Sequence, residues 1–233
     1  MKPKSIALTY AAVLGSACTL STTAHALTET DSFQQGDGTS TFNPTYTAPA
    51  NDVLLGLTPT TSVGDFTVEG SGGTPVLTDG VFGPIFTGGG PPHPSFATGG
   101  PGGIGAGSSL IYSFAPTAID RIVTLGGWND GGRDTQAYTV SYGIGGIFTT
   151  LATVNYDPTA GSGTGVQIAT QVILDGFGVI ANVDQLKFVF ATAENGHQGY
   201  AELAATSSVP EPSAFAALAG GGVMLLGFRR RSA

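Results

Sequence analysis

The run Trp128-Asn129-Asp130-Gly131-Gly132-Arg133-Asp134 holds the chain's single tryptophan, one of its few arginines and two carboxylates within seven residues. An exposed indole offers a flat apolar face on which a sugar ring can stack, and Arg and Asp side chains can hydrogen-bond its hydroxyls. On that reading Trp128, Asn129, Asp130 and Arg133 form a ligand site. Asn129, Asp130 and Asp134 are also hard oxygen donors of the kind Ca²⁺ takes, although the spaced acidic series and closing Glu of an EF-hand loop are absent. The competing reading is structural. Tryptophan is highly buried on average, so Trp128 would end a strand inside the core, and Arg133 would pair with a nearby carboxylate across a turn.

Other reactive side chains are sparse. His93 and His197 sit apart among Gly, Pro and polar residues, whereas a zinc site draws three or four convergent ligands. The patterns Gly-x-Ser-x-Gly and His-Glu-x-x-His do not occur, and nothing singles out two of the carboxylates as a glycosidase pair. Two strings imitate a dinucleotide fingerprint, Gly100-Pro101-Gly102-Gly103-Ile104-Gly105 and Gly176-Phe177-Gly178-Val179-Ile180-Ala181. The first follows no strand pattern, and the second leads into another strand pattern rather than a helix whose N-terminus could hold pyrophosphate. No catalytic residue is assigned, and the expectation is a protein that is not an enzyme.

Elements must position whatever site exists, and composition narrows what those elements are. Of 233 residues, 37 are Gly and 14 Pro, without a fixed period, which excludes collagen and favours short strands joined by turns. With 16 acidic against 8 basic residues the net charge is −8, the wrong sign for tracking phosphates, so no nucleic-acid partner is expected.

The two ends read as addresses. Lys2 and Lys4, the apolar run Ile6 to Leu20 and the small-x-small sequence Ala24-His25-Ala26 make residues 1–26 a signal peptide cut by signal peptidase before Leu27. The only cysteine, Cys18, leaves with it, so the exported part has no disulfide and no thiol chemistry. At the other end Val209-Pro210-Glu211-Pro212 precedes an uncharged run, Ser213 to Phe228, and then Arg229-Arg230-Arg231. That run would span about 24 Å as a helix, just short of a bilayer's hydrocarbon core, and the arginines would stay cytoplasmic. This tripartite tail at 209–233 resembles the PEP-CTERM sorting signal of Gram-negative bacteria. The resemblance implies recognition by an exosortase, removal of the tail near Val209, Pro210, Glu211 and Pro212, and release or attachment of the body at the cell surface. It also implies an association with exopolysaccharide and biofilm.

The body between the addresses, 27–208, has the size of one domain and carries 15 acids against Arg121, Arg133 and Lys187, a net charge of −12. Residues 87–108 contain 9 Gly and 4 Pro and read as a surface loop inserted in that domain. Beyond it the period is two: Leu110, Tyr112 and Phe114; Tyr138, Val140 and Tyr142; Leu186, Phe188 and Phe190 alternate with their neighbours. Further strands are expected at 66–69, 119–125, 147–154, 166–174 and 200–204, with turns at Asp79-Gly80, Asp130-Gly131, Asp175-Gly176 and Asn195-Gly196. The expectation is an all-β, jelly-roll-like β-sandwich of about eight strands.

A second resemblance rests on order along the chain. Leu77-Thr78-Asp79-Gly80 with Val81-Phe82-Gly83, Ile119-Asp120-Arg121-Ile122 running to Gly127-Trp128, Asp130 to Arg133, Tyr138 to Tyr142 and Gly199-Tyr200-Ala201-Glu202-Leu203 resemble the galactose-binding-like jelly roll of discoidin and coagulation factor C-type domains. The resemblance implies a sugar or surface ligand held by loops at one end. The expected protein is thus exported, briefly membrane-anchored, processed by exosortase, then held at the surface or in extracellular matrix, and non-catalytic. Its partner would be an exopolysaccharide or cell-surface glycan. No cofactor is expected beyond structural calcium at Asn129, Asp130 and Asp134. The alternatives are a passive coat protein and, further off, a secreted hydrolase.

Overall fold

The computed structural model describes residues 26–87, 93, 95–99, 107–158, 165–191 and 196–207. Residues 1–25 of the expected signal peptide and the tail residues Val209, Pro210, Glu211, Pro212, Arg229, Arg230 and Arg231 lie outside them, as does most of the Gly/Pro-rich stretch.

Among the described residues, ten strands form two five-stranded antiparallel sheets. One sheet orders β1 (Thr28–Gln35), β8 (Ile168–Asp175), β5 (Arg121–Trp128), β10 (Gln198–Thr206) and β3 (Ala97–Gly99). The other orders β2 (Thr61–Val63), β4 (Ser109–Ile119), β9 (Ile180–Phe190), β6 (Gln136–Ile144) and β7 (Ile147–Tyr156). The alternating residues do what period two dictates: Leu110, Tyr112, Tyr138, Val140, Leu186 and Phe188 point inward and are buried, joined by Tyr200, Leu203, Val172 and Leu174 from the facing sheet. Each such side chain contributes roughly 1.5–3 kcal/mol when it leaves water.

The first sheet is covered on both faces. Its outer face buries Val123, Leu125, Trp128, Ala201 and Ala204 under Phe82, Ile85 and Phe96, with Phe42 and Tyr46 packed alongside. This explains why β5 and β10 read as nearly continuous apolar runs rather than alternating ones. Within the Gly/Pro-rich stretch, read from sequence as a surface loop, several described residues are instead part of the fold: Phe96 is fully buried, His93 nearly so, and β3 extends the sheet by pairing with β10.

Two other elements differ from the sequence expectation. Residues 66–69 are a bend and a short 3-10 turn instead of a strand, with Glu69 in the left-handed region at φ 57°. β1 and β2 carried no readable period because most of their side chains face solvent. As the sequence pattern predicts, the second fingerprint imitation runs from β8 into β9, strand to strand, so it opens no helix N-terminus.

Strand directions separate two ends. At one lie Thr28 opposite Asp175, Thr206 opposite Arg121, the crossing between sheets at Asp120, the two-residue turn Gly145-Gly146 between β6 and β7, and the β8–β9 connection. At the other lie Trp128 and Gln198 and the connections β5–β6, β7–β8 and β9–β10. The eight residues of β5 put about 23 Å between the ends.

Candidate functional site

The second end carries the polar group. β5 delivers Trp128 through Gly126-Gly127, where the backbone runs so close to β8 that a Cβ on Gly127, at φ 130°, would lie 2.1 Å from the Ile168 carbonyl oxygen. Gly199 of β10 leaves the room the indole needs: a Cβ there would lie 2.7 Å from Trp128 Cε3. Trp128 is consequently 2% exposed. Of the two readings of this residue, the solvent-facing platform gives way to the core tryptophan, because the flanking glycines let the ring sink into the sheet's outer core.

The indole instead supports polar side chains. The His93 ring packs on it at 4.3 Å between centroids, with Phe96 edge-on at 6.1 Å. The Arg133 guanidinium lies 5.4 Å from the indole centroid. Arg133 is paired with Glu69 across 64 residues of sequence, Nη2 donating to Oε1 at 2.7 Å and Nη1 to Oε2. The Arg133 side chain is 13% exposed and that of Glu69 50%, so the pair is a rim feature with one open edge.

Electrostatics bind the group together. The Arg133 hydrogen bonds hold the Glu69 carboxyl below its ordinary range, with His197 and His93 adding to the effect. Burial pushes the His93 imidazole down, and Glu69 and Asp130 only partly oppose it. His197 shifts down as well, through burial and then Arg133. Both imidazoles are therefore neutral near pH 7, each with a donor and an acceptor nitrogen, and His93 Nδ1 has no hydrogen-bond partner among the described residues.

The sequence-level site is thus partly assembled. Arg133 is in it and Trp128 lies beneath it. Asp130 turns one carboxyl oxygen to the Gly132 N–H at 2.9 Å, an Asx turn that shapes the loop, and Asn129 is half-buried beside it. Asp134 is fully buried. Among the described residues no group of three or more His, Cys, Asp or Glu gathers to hold a metal ion. Sequence reasoning missed Glu69, His93 and His197 as members. Glu69 falls in a stretch whose pattern predicts a strand, and the two histidines, 104 positions apart in sequence, carry no spacing that places them at one site.

A second polar feature lies under β10. Glu202 is fully buried; its Oε2 accepts from the Gly80 N–H at 3.1 Å and its Oε1 has no partner among the described residues. Burial, with Asp52 and Asp79 nearby, pushes its carboxyl up to about 9, so it is a neutral acid at pH 7. Asp52 accepts from the Leu54 and Ala205 N–H groups and ties the 52–54 segment to β10.

Fold and chain end together define a class: an antiparallel β-sandwich followed by a protein-sorting segment. Residues 208–231 match the family model of the PEP-CTERM protein-sorting motif, in agreement with the tail's three-part reading. No curated protein matches the chain. Among solved structures, the chain is similar to a CBM32 module of Clostridium perfringens in complex with GalNAc-β-1,3-galactose (15% identity, 63% of this chain and 93% of that one, TM-score 0.43). It is also similar to the family 32 CBM of C. perfringens NanJ in complex with galactose (12%, 76% and 92%, TM-score 0.36). A third is the CBM32 of AlyQ in complex with 4,5-unsaturated mannuronic acid (12%, 47% and 75%, TM-score 0.31).

Proposed function

We propose that this is an exported, exosortase-processed surface protein whose non-catalytic body binds a neutral glycan at the Arg133 end. The observation that supports the reading is the fixed group itself: a guanidinium held by Glu69, an imidazole seated on Trp128 and a second imidazole within the same field. Such a group offers directed donors and acceptors beside aromatic surface, which suits vicinal hydroxyls. The net charge of −12 on the body disfavours an anionic polysaccharide. The sorting motif supports the run 213–228 as a short membrane segment and cleavage near Pro210-Glu211-Pro212 by exosortase, and the N-terminal sequence pattern supports Leu27 as the new N-terminus. Retention in extracellular matrix or biofilm belongs to the same proposal.

The test is a glycan array probed with the mature chain, with and without millimolar Ca²⁺, followed by calorimetry on any hit. Saturable binding that Arg133→Ala weakens at least tenfold, while the thermal midpoint stays near that of the parent, supports the reading. Flat curves under both conditions would leave a passive coat protein. Turnover of a polysaccharide or ester library would restore the hydrolase alternative.

A further inference from the structure

The end of the sandwich opposite Arg133 is unusually apolar for a surface. Nine large apolar side chains of the described residues are exposed, and five of them, Leu27, Ile144, Ile147, Phe148 and Val179, lie at this end. Ile147 is 75% exposed and Val179 61%. Ile144 and Ile147 flank the turn Gly145-Gly146, whose positive φ values of 58° and 85° make a tight two-residue hairpin tip. A Cβ placed on either glycine would meet nothing within 4 Å, so the tip stands in open space.

Glu29, beside Leu27, is an exposed carboxylate at this end, and three others are engaged within the domain. Asp184 accepts from the Gly145 N–H at 3.0 Å, Asp120 from the Thr206 hydroxyl at 2.8 Å, and Asp175 lies 3.6 Å from Arg121. Lys187 places its ammonium 5.7 Å from the Phe148 ring. An apolar tip with a lysine stem beside an aromatic ring suits the boundary between acyl chains and headgroups.

What covers this surface follows from where the chain goes next. β10 ends here at Thr206, and only 208–212 separate Ser207 from the uncharged run that begins at Ser213. Fully extended, that connection reaches roughly 20 Å, part of which is spent crossing the headgroup layer. The domain cannot stand clear of the membrane that holds the run, and the end facing it is the one bearing the exposed apolar residues.

We propose that this end is a bilayer-docking surface: while the tail holds the chain, the Ile144–Phe148 tip, with Val179 and Leu27, rests in the lipid interface and the Arg133 end points away from the membrane. The proposal rests on the reading of 213–228 as a membrane segment. Docking presents the glycan site outward and holds the segment 208–212 close to the bilayer surface, where a membrane-embedded protease works.

The mature chain has no cysteine, so single probes can be placed cleanly. Ile147→Cys and Val179→Cys at the docking end, and Val63→Cys at the far end, are each labelled with an environment-sensitive fluorophore. Each chain is then reconstituted into vesicles of phosphatidylethanolamine and phosphatidylglycerol and separated by flotation. The expected result is blue-shifted emission and quenching by spin-labelled lipid at 147 and 179, with neither at 63. Chains that float while all three probes remain water-exposed overturn the docking surface and leave the membrane tail standing. Chains that do not float overturn the tail reading and the docking with it. Shielding at 147 that appears without lipid and grows with protein concentration shows a second copy of the chain as the occupant, which also overturns the proposal.

Discussion

Glu69 joins the two properties that make the Arg133 end a site: a backbone in the left-handed region and a paired guanidinium. A non-glycine residue there costs about 1–2 kcal/mol, sustained by the contacts around it. Glu69→Gly and Glu69→Ala both lose the pair with Arg133, but glycine accepts φ 57° freely. In urea titrations the glycine variant should therefore be the more stable of the two by about 1 kcal/mol, while both weaken glycan binding. Glu202 makes a prediction about pH. Its carboxyl is raised to about 9 in the fold from an ordinary value of 4.5, so the folded protein binds this proton more tightly than the unfolded chain does. The contribution is fully present below about pH 4.5 and is lost as pH rises through about 9, amounting to a few kcal/mol. Unfolding free energies at pH 5, 7 and 9 should fall along that series, and Glu202→Gln should flatten the Glu202 part of the slope. A wild-type slope unchanged by that variant would show that Glu202 is not the group responsible.

Among the elements, β10 is decisive because every residue from Gln198 to Thr206 is buried. It pairs with β5 and β3, carries Tyr200 into the inner core, and makes space for Trp128 through Gly199. Gly199→Ala would drive a methyl into the Gly127 carbonyl oxygen at 2.2 Å and into the indole at 2.7 Å. It should lower stability by about 2–4 kcal/mol, read as a fall in thermal midpoint. It should also change tryptophan emission, since Trp128 is the only reporter in the chain. Gly145→Ala stands at the opposite extreme: with nothing near its Cβ position, only the positive φ is strained, and the loss should stay near about 1 kcal/mol. Equal effects of the two alanines would contradict this account of where glycine is needed for space and where for conformation.

At the scale of the whole molecule, the buried residues of both described core clusters lie within 54–205, with Phe42, Tyr46 and Val53 packed against them. Removing 208–233 should leave the thermal midpoint of the body unchanged while abolishing flotation with vesicles; a large loss of stability would mean that the tail packs on the body. The sandwich was legible wherever a strand has one wet and one dry face, as in the first half of β4 and the second half of β9. It was illegible at β1, which is mostly wet, and at β3, hidden in a Gly/Pro-rich run whose buried His93 and Phe96 look like loop residues in isolation. Sequence by itself determined the all-β class and the sorting motif, because side-chain period and a tripartite tail are local properties of the chain. Only the tertiary structure decided that Trp128 is a floor instead of a platform, that Glu69, His93 and Arg133 meet, and that the apolar tip shares an end with the tail. Those facts depend on contacts between residues 35 or more positions apart and on strand direction, neither of which a local pattern encodes.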